Sequence, residues 1–150
     1  MLVKGIKMKP ADNLRMYRFP KMYNQYKLTK IEYSKIFKDT LNWITGFWEG
    51  EGSITRLNKI SLRFTVAQRD ITPLLFIKKI LKAGHIVGKN SKKDIFSYEL
   101  NGTGRVLALL ETILPYIRSK FRKIKVKKML LLLNKIERKA NYYLELKKKD

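Results

Sequence analysis

The spacing of apolar residues changes several times along this chain, and each change predicts a boundary between structural elements. Residues 29–49 carry apolar side chains three or four positions apart, which is the spacing of a helix. Thr29 and Glu32 fit a capping box at its start, and Asp39 as a second N-cap would divide the segment into two helices. Residues 60–68 instead alternate apolar and polar side chains, which predicts a strand with one buried face.

The segments that follow complete the predicted order of elements. Residues 53–57 would pair with 60–68. A helix that begins at Asp70 or Thr72 follows through Lys82 and is closed by Gly84. A second strand pair, 85–89 and 95–100, surrounds a polar turn. A helix over 105–114 ends at Pro115, and a long basic helix covers residues 120–147. We therefore predict an α+β fold of αββαββα order, with a four-stranded antiparallel sheet and an extra C-terminal helix.

The first 28 residues have neither a helical nor a strand spacing. They are basic, rich in Met and Tyr, and interrupted by Pro10 and Pro20. We interpret residues 1–28 as a basic N-terminal extension, either an arm that orders on its ligand or a disordered tail. Residues 29–150 then form the domain, and a chain of 150 residues is long enough for one such domain with a real core.

The charge of the chain is the first indication of a function. Lys and Arg number 34 against 12 Asp and Glu, which gives a formal net charge of +22. Such an excess repels itself, so we predict binding to nucleic acid rather than to an anionic membrane surface. The absence of cysteine excludes disulfides and thiolate metal sites. The chain has neither a secretory signal nor an apolar run that could span a bilayer, so we expect a soluble, intracellular protein.

The polar positions of the predicted strands suggest how nucleic acid would be bound. One face of the sheet must pack on the helices, and the other would carry hydrogen-bonding and basic side chains. These candidate DNA-binding residues are Ser53, Thr55, Ser61, Arg63, Thr65, Lys89 and Ser97. A twisted antiparallel ribbon of this kind fits the major groove of double-stranded DNA. An ordinary solvated sheet face has the same pattern, and the net charge favours DNA.

Residues 44–52, with the sequence ITGFWEGEG, combine a helix face with an acidic tip. Trp43, Gly46, Phe47 and Gly50 fall on one face of the predicted helix. Glycine inside a helix costs about 1 kcal/mol relative to alanine, so we expect a second helix to approach closely and compensate. If the helix ends near Gly50, its carbonyl and the Glu51 carboxylate form an all-oxygen site for a hard cation such as Mg²⁺.

This segment resembles the signature of the LAGLIDADG homing endonucleases. Both acidic positions of the signature are filled, by Glu49 and Glu51. Five further positions are in register: Ile44, Gly46, Phe47, Gly50 and Gly52. The resemblance extends over about residues 39–139, and the αββαββα order of the family matches the order predicted above.

The resemblance implies roles for individual residues. Glu51 would be the metal-ligand carboxylate with the Gly50 carbonyl beside it, whereas Glu49 would be more structural. The strand FTVAQ resembles the one whose terminal glutamine, here Gln68, orients solvent near the scissile phosphate. The stretch LPYIRSK resembles the one that supplies a catalytic-pocket lysine, here Lys120.

Two features depart from the family. The pocket arginine that follows the glutamine in small members has Thr72 near its position, and Arg69 is displaced in sequence. The loop between the first two strands is also much shorter than usual, which predicts fewer DNA contacts at one end of each half-site.

The implied function is that of a homing endonuclease. A homodimer would hold Mg²⁺ between two Glu51 carboxylates, cut both strands of a long, roughly palindromic DNA site, and promote intron mobility. The resemblance and the Lys-, Ile- and Asn-rich composition suggest an organelle (chloroplast or mitochondrion) or a bacterial cytoplasm. The alternatives are a maturase that binds intron RNA and a non-catalytic DNA- or RNA-binding protein on the same scaffold. A basic structural RNA-binding protein would fit the charge but not the glycine-rich helix.

Overall fold

The fold consists of helices packed on one face of a four-stranded sheet. The computed structural model describes residues 2–3, 6–7, 10–88 and 94–148. The helices are α1 (Pro10–Tyr33), α2 (Lys38–Glu51), α3 (Ile71–Leu81), α4 (Thr103–Ile113), α5 (Lys120–Leu130) and α6 (Leu132–Lys148). The strands are β1 (Leu2–Val3), β2 (Ile6–Lys7), β3 (Gly52–Arg56), β4 (Leu62–Gln68), β5 (His85–Val87) and β6 (Phe96–Leu100). From α2 to α4 the elements follow the predicted order, which confirms the α+β fold.

The sheet has the strand order β3-β4-β6-β5, and all of its pairs are antiparallel. Along β4, Leu62, Phe64 and Val66 are buried while Arg63 and Thr65 are partly exposed, as the alternation predicted. β1 and β2 form a separate two-stranded hairpin. The sheet therefore presents one apolar face to the helices and one open, polar face.

The core lies between the apolar face of the sheet and the helices. Trp48 of α2 stacks on Phe64 of β4 with 5.5 Å between ring centroids, and both side chains are fully buried. The middle of α4 is buried on all sides, including Leu107, Leu109 and Leu110. A helix that is apolar all round must be covered by several neighbours, and α1, α5 and the sheet provide that cover. No helix in the described part of the chain is both long and apolar enough to cross a bilayer.

The N-terminal segment differs most from the prediction. Residues 10–28, expected to lack regular structure, belong to the 24-residue helix α1, which packs on α4 and α6. Thr29 lies buried inside that helix, so the predicted capping box is wrong. The apolar residues of this segment have no helical spacing because α1 contacts its neighbours through polar side chains as well as apolar ones. The Tyr26 hydroxyl donates to the Glu111 carboxylate at 2.7 Å, and Gln25 accepts the Arg105 backbone N–H at 3.2 Å.

Three other helix boundaries can be compared with their predicted caps. The division into two helices before residue 40 is confirmed, although Phe37 rather than Asp39 is the N-cap of α2. Asp70 caps α3 by accepting the Thr72 backbone N–H at 3.0 Å, close to the predicted start. The long C-terminal helix is interrupted at Leu131 and forms α5, which contacts α4, and α6, which packs on α1.

Candidate active site and nucleic-acid interface

The acidic tip of α2 lies at one end of the sheet. Glu51 is the last residue of α2, and Gly52 begins β3 opposite Val66 of β4. Gln68 ends β4 two residues later. Because β3 and β4 are antiparallel, this pairing brings Glu51 and Gln68 to the same end of the sheet.

Glu49 joins the start of α5 to that end. Its Oε1 accepts the backbone N–H groups of Arg118 at 2.7 Å and Ser119 at 3.3 Å. Ser119 is the N-cap of α5, and Lys120 is the first residue of the helix. A carboxylate that binds free N–H groups at a helix start stabilises it, which is the structural kind of role expected of Glu49. The contact therefore holds Lys120 near the tip of α2.

The Glu51 carboxylate has no partner among the described residues, so it is available to bind a ligand. Its side chain is exposed, and it makes no hydrogen bond or ion pair with another described residue. The Gly50 carbonyl is one of the last four of α2, which have no partner within the helix. A carboxylate at a helix C-terminus is electrostatically unfavourable unless a cation offsets it. These two oxygen donors fit a hard divalent cation, and a complete site needs further ligands from outside this chain.

The described residues of a single chain contain no cluster of three or more metal-ligating side chains. One carboxylate and one carbonyl oxygen fill only a fraction of the six or more positions around Mg²⁺ or Ca²⁺. Water molecules or groups of a second macromolecule would have to fill the remaining positions around a divalent ion at this tip.

Gln68 and the two residues considered for the missing arginine lie where β4 ends. The Gln68 side-chain oxygen accepts the backbone N–H of Arg69 at 2.8 Å. Arg69 and Thr72 are both exposed beyond the end of the strand.

An arginine does lie beside the acidic tip, and sequence reasoning missed it. Arg122 donates from Nη2 to the Gly52 carbonyl at 3.1 Å, and its guanidinium lies 4.8 Å from the centroid of a Trp48 ring. Arg122 lies in the first turn of α5. This helix contains so many Lys and Arg residues that the sequence does not single out one of them. Only the tertiary fold, in which the start of α5 lies against β3, brings Arg122 to the residue that follows Glu51.

The open face of the sheet carries most of the predicted DNA-binding side chains. Ser53 and Thr65 lie opposite each other with their hydroxyl oxygens 2.9 Å apart, and Thr55 lies opposite Arg63. Ser97 pairs with Ala67 on the same face. These side chains form a row of hydrogen-bonding groups that a groove of duplex DNA could contact.

Two predicted members of this face, Ser61 and Lys89, are not found on it among the described residues. Ser61 is not in β4, because the Asn58 side chain accepts the N–H groups of Ile60 and Ser61 and forms a tight turn there instead. Lys89 lies outside the described residues.

The open face also contains an acid that the prediction omitted. Glu99 lies opposite Thr65, with Oε2 3.8 Å from Arg63 Nε and 3.3 Å from His85 Nε2. Arg63 Nε also donates to Asn101 Oδ1 at 2.8 Å. The centre of the face is therefore hydrogen-bonding and close to neutral rather than strongly basic.

The predicted glycine face of α2 is open to its surroundings. A Cβ atom built at Gly46 or Gly50 would meet nothing within 4 Å. Trp43, 42% exposed, stacks on Phe47 and meets Phe76 edge-on, with ring centroids 5.3 Å apart in both pairs. Among the described residues, no other helix makes the close contact at Gly46 and Gly50 that two glycines predict.

Comparison with known proteins places this geometry in a fold. No family model matches the chain, and no curated protein matches its sequence. Among solved structures, it is similar to the group I intron-encoded homing endonuclease I-CeuI in complex with DNA, with a TM-score of 0.55 and 19% identity over 97% of this chain and 84% of that chain. It is similar to the homing endonuclease I-CvuI bound to DNA, with a TM-score of 0.52 and 22% identity over 70% and 73% of the two chains.

A third similar structure is the LAGLIDADG meganuclease I-AabMI bound to uncleaved DNA, with a TM-score of 0.52 and 24% identity. That match covers 69% of this chain and 38% of the meganuclease. The chain has the fold of the LAGLIDADG homing endonucleases, which confirms at the level of fold the resemblance seen in residues 44–52.

Proposed function

We propose that this protein is a homodimeric, metal-dependent endonuclease that makes double-strand breaks in a long, roughly palindromic DNA site. One observation carries the proposal: helix α2 has a free carboxylate at its tip and an open glycine face along its side. The two features lie on one helix, so a partner that covers the face would also complete the site at the tip.

The partner that fits the glycine face is a second copy of α2. Gly46 and Gly50 let two backbones approach, and the half-exposed Trp43 and Phe47 supply apolar surface around them. A two-fold axis between the helices makes the contact isologous, since each glycine face then meets its own copy. The same axis would set the two Glu51 carboxylates side by side and supply the missing ligands of a shared cation.

The residues around the tip suit phosphodiester hydrolysis. Glu51 and the Gly50 carbonyl would hold Mg²⁺, which in such a site activates water and neutralises charge on the phosphate. Lys120, kept near the tip by the Glu49 contact, would stabilise the charge that develops on the phosphate oxygens. Gln68 would orient water from the end of β4.

Because Thr72 lies near the position expected for the pocket arginine, we propose that Arg122 serves in its place. Its contact with the Gly52 carbonyl anchors it one residue from Glu51, and stacking on Trp48 keeps the guanidinium in a fixed plane. The two I-CvuI complexes were determined with 2 mM Mg and with 2 mM Ca, which supports a divalent cation in this fold.

Duplex DNA would lie along the open sheet face, with one sheet for each half-site. Ser53, Thr55, Thr65 and Ser97 would contact base edges, because hydroxyl groups donate and accept hydrogen bonds. The net charge of +22 would hold the phosphate backbone and make binding strongly dependent on salt. We further propose that the reading frame lies in an intron whose insertion the enzyme promotes, in an organelle or a bacterium.

The experiment is cleavage of intron-free DNA that spans the insertion site, with Mg²⁺ or with EDTA. We expect the wild-type protein to cut both strands only with Mg²⁺. Glu51→Gln should bind the same DNA with unchanged affinity and cut it slower by a factor on the order of 10³. Glu32→Gln is the matched control, since Glu32 pairs with Lys82 at 3.6 Å on exposed surface away from the tip.

Two outcomes would overturn the nuclease. One is the absence of cleavage by the wild-type protein, and the other is undiminished cleavage by Glu51→Gln. Specific binding of intron RNA without cleavage of DNA would indicate a maturase instead.

A further inference from the structure

A group of cations without ion-pair partners among the described residues lies away from the open sheet face. It surrounds the turn between β3 and β4, where two cavities of about 250 and 230 Å³ adjoin and share Lys135. The cations that line them, here called the hairpin cluster, are Arg18, Arg56, Lys59, Lys128, Lys135 and Lys139. They come from α1, β3, the turn itself, α5 and α6, so only the tertiary fold assembles them.

No carboxylate lines either cavity, and no cation of the hairpin cluster forms an ion pair with another described residue. Some cations elsewhere on the described surface do have an acidic partner. Lys30 pairs with Glu111, and Arg63 and His85 on the open face share Glu99. Six like charges around two concave surfaces repel one another, and an anion that lies between them lowers that repulsion.

We infer that the hairpin cluster binds the phosphate backbone of duplex DNA that continues past the segment read by the open sheet face. The inference rests on the proposed function, because it assumes that the sheet itself lies on DNA. The cluster stands at the end of the β3–β4 pair opposite to Glu51, which is the outer end of a half-site if the two acidic tips meet at the centre.

From its position, the hairpin cluster would also supply the DNA contacts that the short β3–β4 turn lacks. Only residues 57–61 connect the two strands, so the turn alone offers few side chains to DNA beyond the strand ends. α6 passes this turn, and Lys135 and Lys139, one helical turn apart, face the same cavity as Lys59 and Arg18. Backbone contacts of this kind add affinity without sequence preference.

The test uses the triple variant Lys59→Gln, Lys135→Gln and Lys139→Gln. The matched control is Lys35→Gln, Lys38→Gln and Lys78→Gln, three exposed lysines with the same total change in charge. Two duplexes serve as probes: one limited to the sheet-covered site, and one extended by about one helical turn, ~10 bp, on each side.

On the extended duplex, the hairpin variant should bind about 10- to 100-fold more weakly than the control variant in low salt. The slope of log K against log salt should become shallower by up to about 0.9 for each phosphate that the variant no longer neutralises. On the short duplex the two variants should bind equally, and cleavage at saturating protein should match the wild type. The hairpin variant without DNA should also be at least as stable as the control, because it relieves repulsion.

Equal affinities of the two variants for the extended duplex would overturn the inference and leave the nuclease intact. A wild-type protein that binds neither duplex would overturn both proposals. Weaker binding of the hairpin variant to the short duplex as well would overturn the assignment of the cluster to flanking DNA.

Discussion

Helices α2 and α4 both carry glycine on one face, but among the described residues only the glycine of α4 meets a neighbouring helix. A Cβ atom at Gly104 would collide with the Met22 carbonyl and would lie 2.9 Å from the Tyr26 nitrogen, both in the backbone of α1. At Gly46 and Gly50 of α2 it would meet nothing within 4 Å. The α1–α4 contact is what a glycine-mediated helix pair looks like when it is complete, and we propose that α2 forms such a pair with a second copy of this chain.

The α1–α4 contact also shows what the missing half would supply. Gly102, the N-cap of α4, has no side chain to bind the free N–H groups of the helix start. Gln25 of α1 accepts the Arg105 N–H instead, so the neighbouring helix completes both the packing and the polar partners. We expect a second α2 to do the same at the acidic tip, by adding oxygen ligands to those of Glu51.

Filling the open face should have the largest effect. Gly46→Leu should lower both the association constant of the dimer and the cleavage rate by at least about 100-fold, because the leucine side chain keeps the two backbones apart. The far-ultraviolet circular dichroism spectrum of the single chain should stay the same. Sedimentation equilibrium and the cleavage assay measure the two losses.

Gly88→Leu is the control, since Gly88 is also exposed with nothing within 4 Å of its Cβ position but lies after β5, far along the chain from α2. A Gly46→Leu protein that still forms the wild-type dimer would refute the proposed role of the α2 face.

Alanine at the two kinds of glycine should change stability in opposite directions. Gly104→Ala should lower the free energy of unfolding by about 3 kcal/mol, because rigid backbone of α1 occupies the space. Gly46→Ala should raise it by up to about 1 kcal/mol at protein concentrations too low for dimers, since alanine favours helix. Urea unfolding measures both values, and changes of equal sign and size would end the contrast between α2 and α4.

A smaller effect should appear at alkaline pH, where α1 meets α3. Burial raises the pKa of Tyr33 to about 12, and its hydroxyl donates to the Leu81 carbonyl at 2.9 Å. The neutral hydroxyl therefore stabilises the fold fully below pH 10, the ordinary value, and this contribution is lost as the pH rises towards 12.

The loss should approach about 2 kcal/mol in the wild-type protein. Tyr33→Phe lacks the titrating group, so the free energy of unfolding of the variant should fall less steeply between pH 10 and 12. Parallel pH profiles for the two proteins would mean that α1 does not hold this hydroxyl in a buried site.

Much of the sheet could be predicted because the sequence of β4 alone indicates which of its side chains are buried. Leu62, Phe64 and Val66 alternate with polar residues, and period two assigns each side chain to a face without knowledge of its neighbours. Helix α3 was equally local, since its cap Asp70 binds Thr72 two residues away. α1 could not be predicted in this way, because the partners of Gln25 and Tyr26 lie 80 and 85 residues away along the chain.

The same distinction runs through the acidic tip of α2. The sequence by itself determined that a glycine face and a carboxylate share one helix, because both follow from the positions of Gly46, Gly50 and Glu51 at helical spacing. Only the tertiary structure decided what stands around the tip. Glu49 holds the start of α5 and Arg122 reaches the Gly52 carbonyl across about 70 residues of chain. No local pattern encodes contacts of that range, since they depend on how separate elements pack.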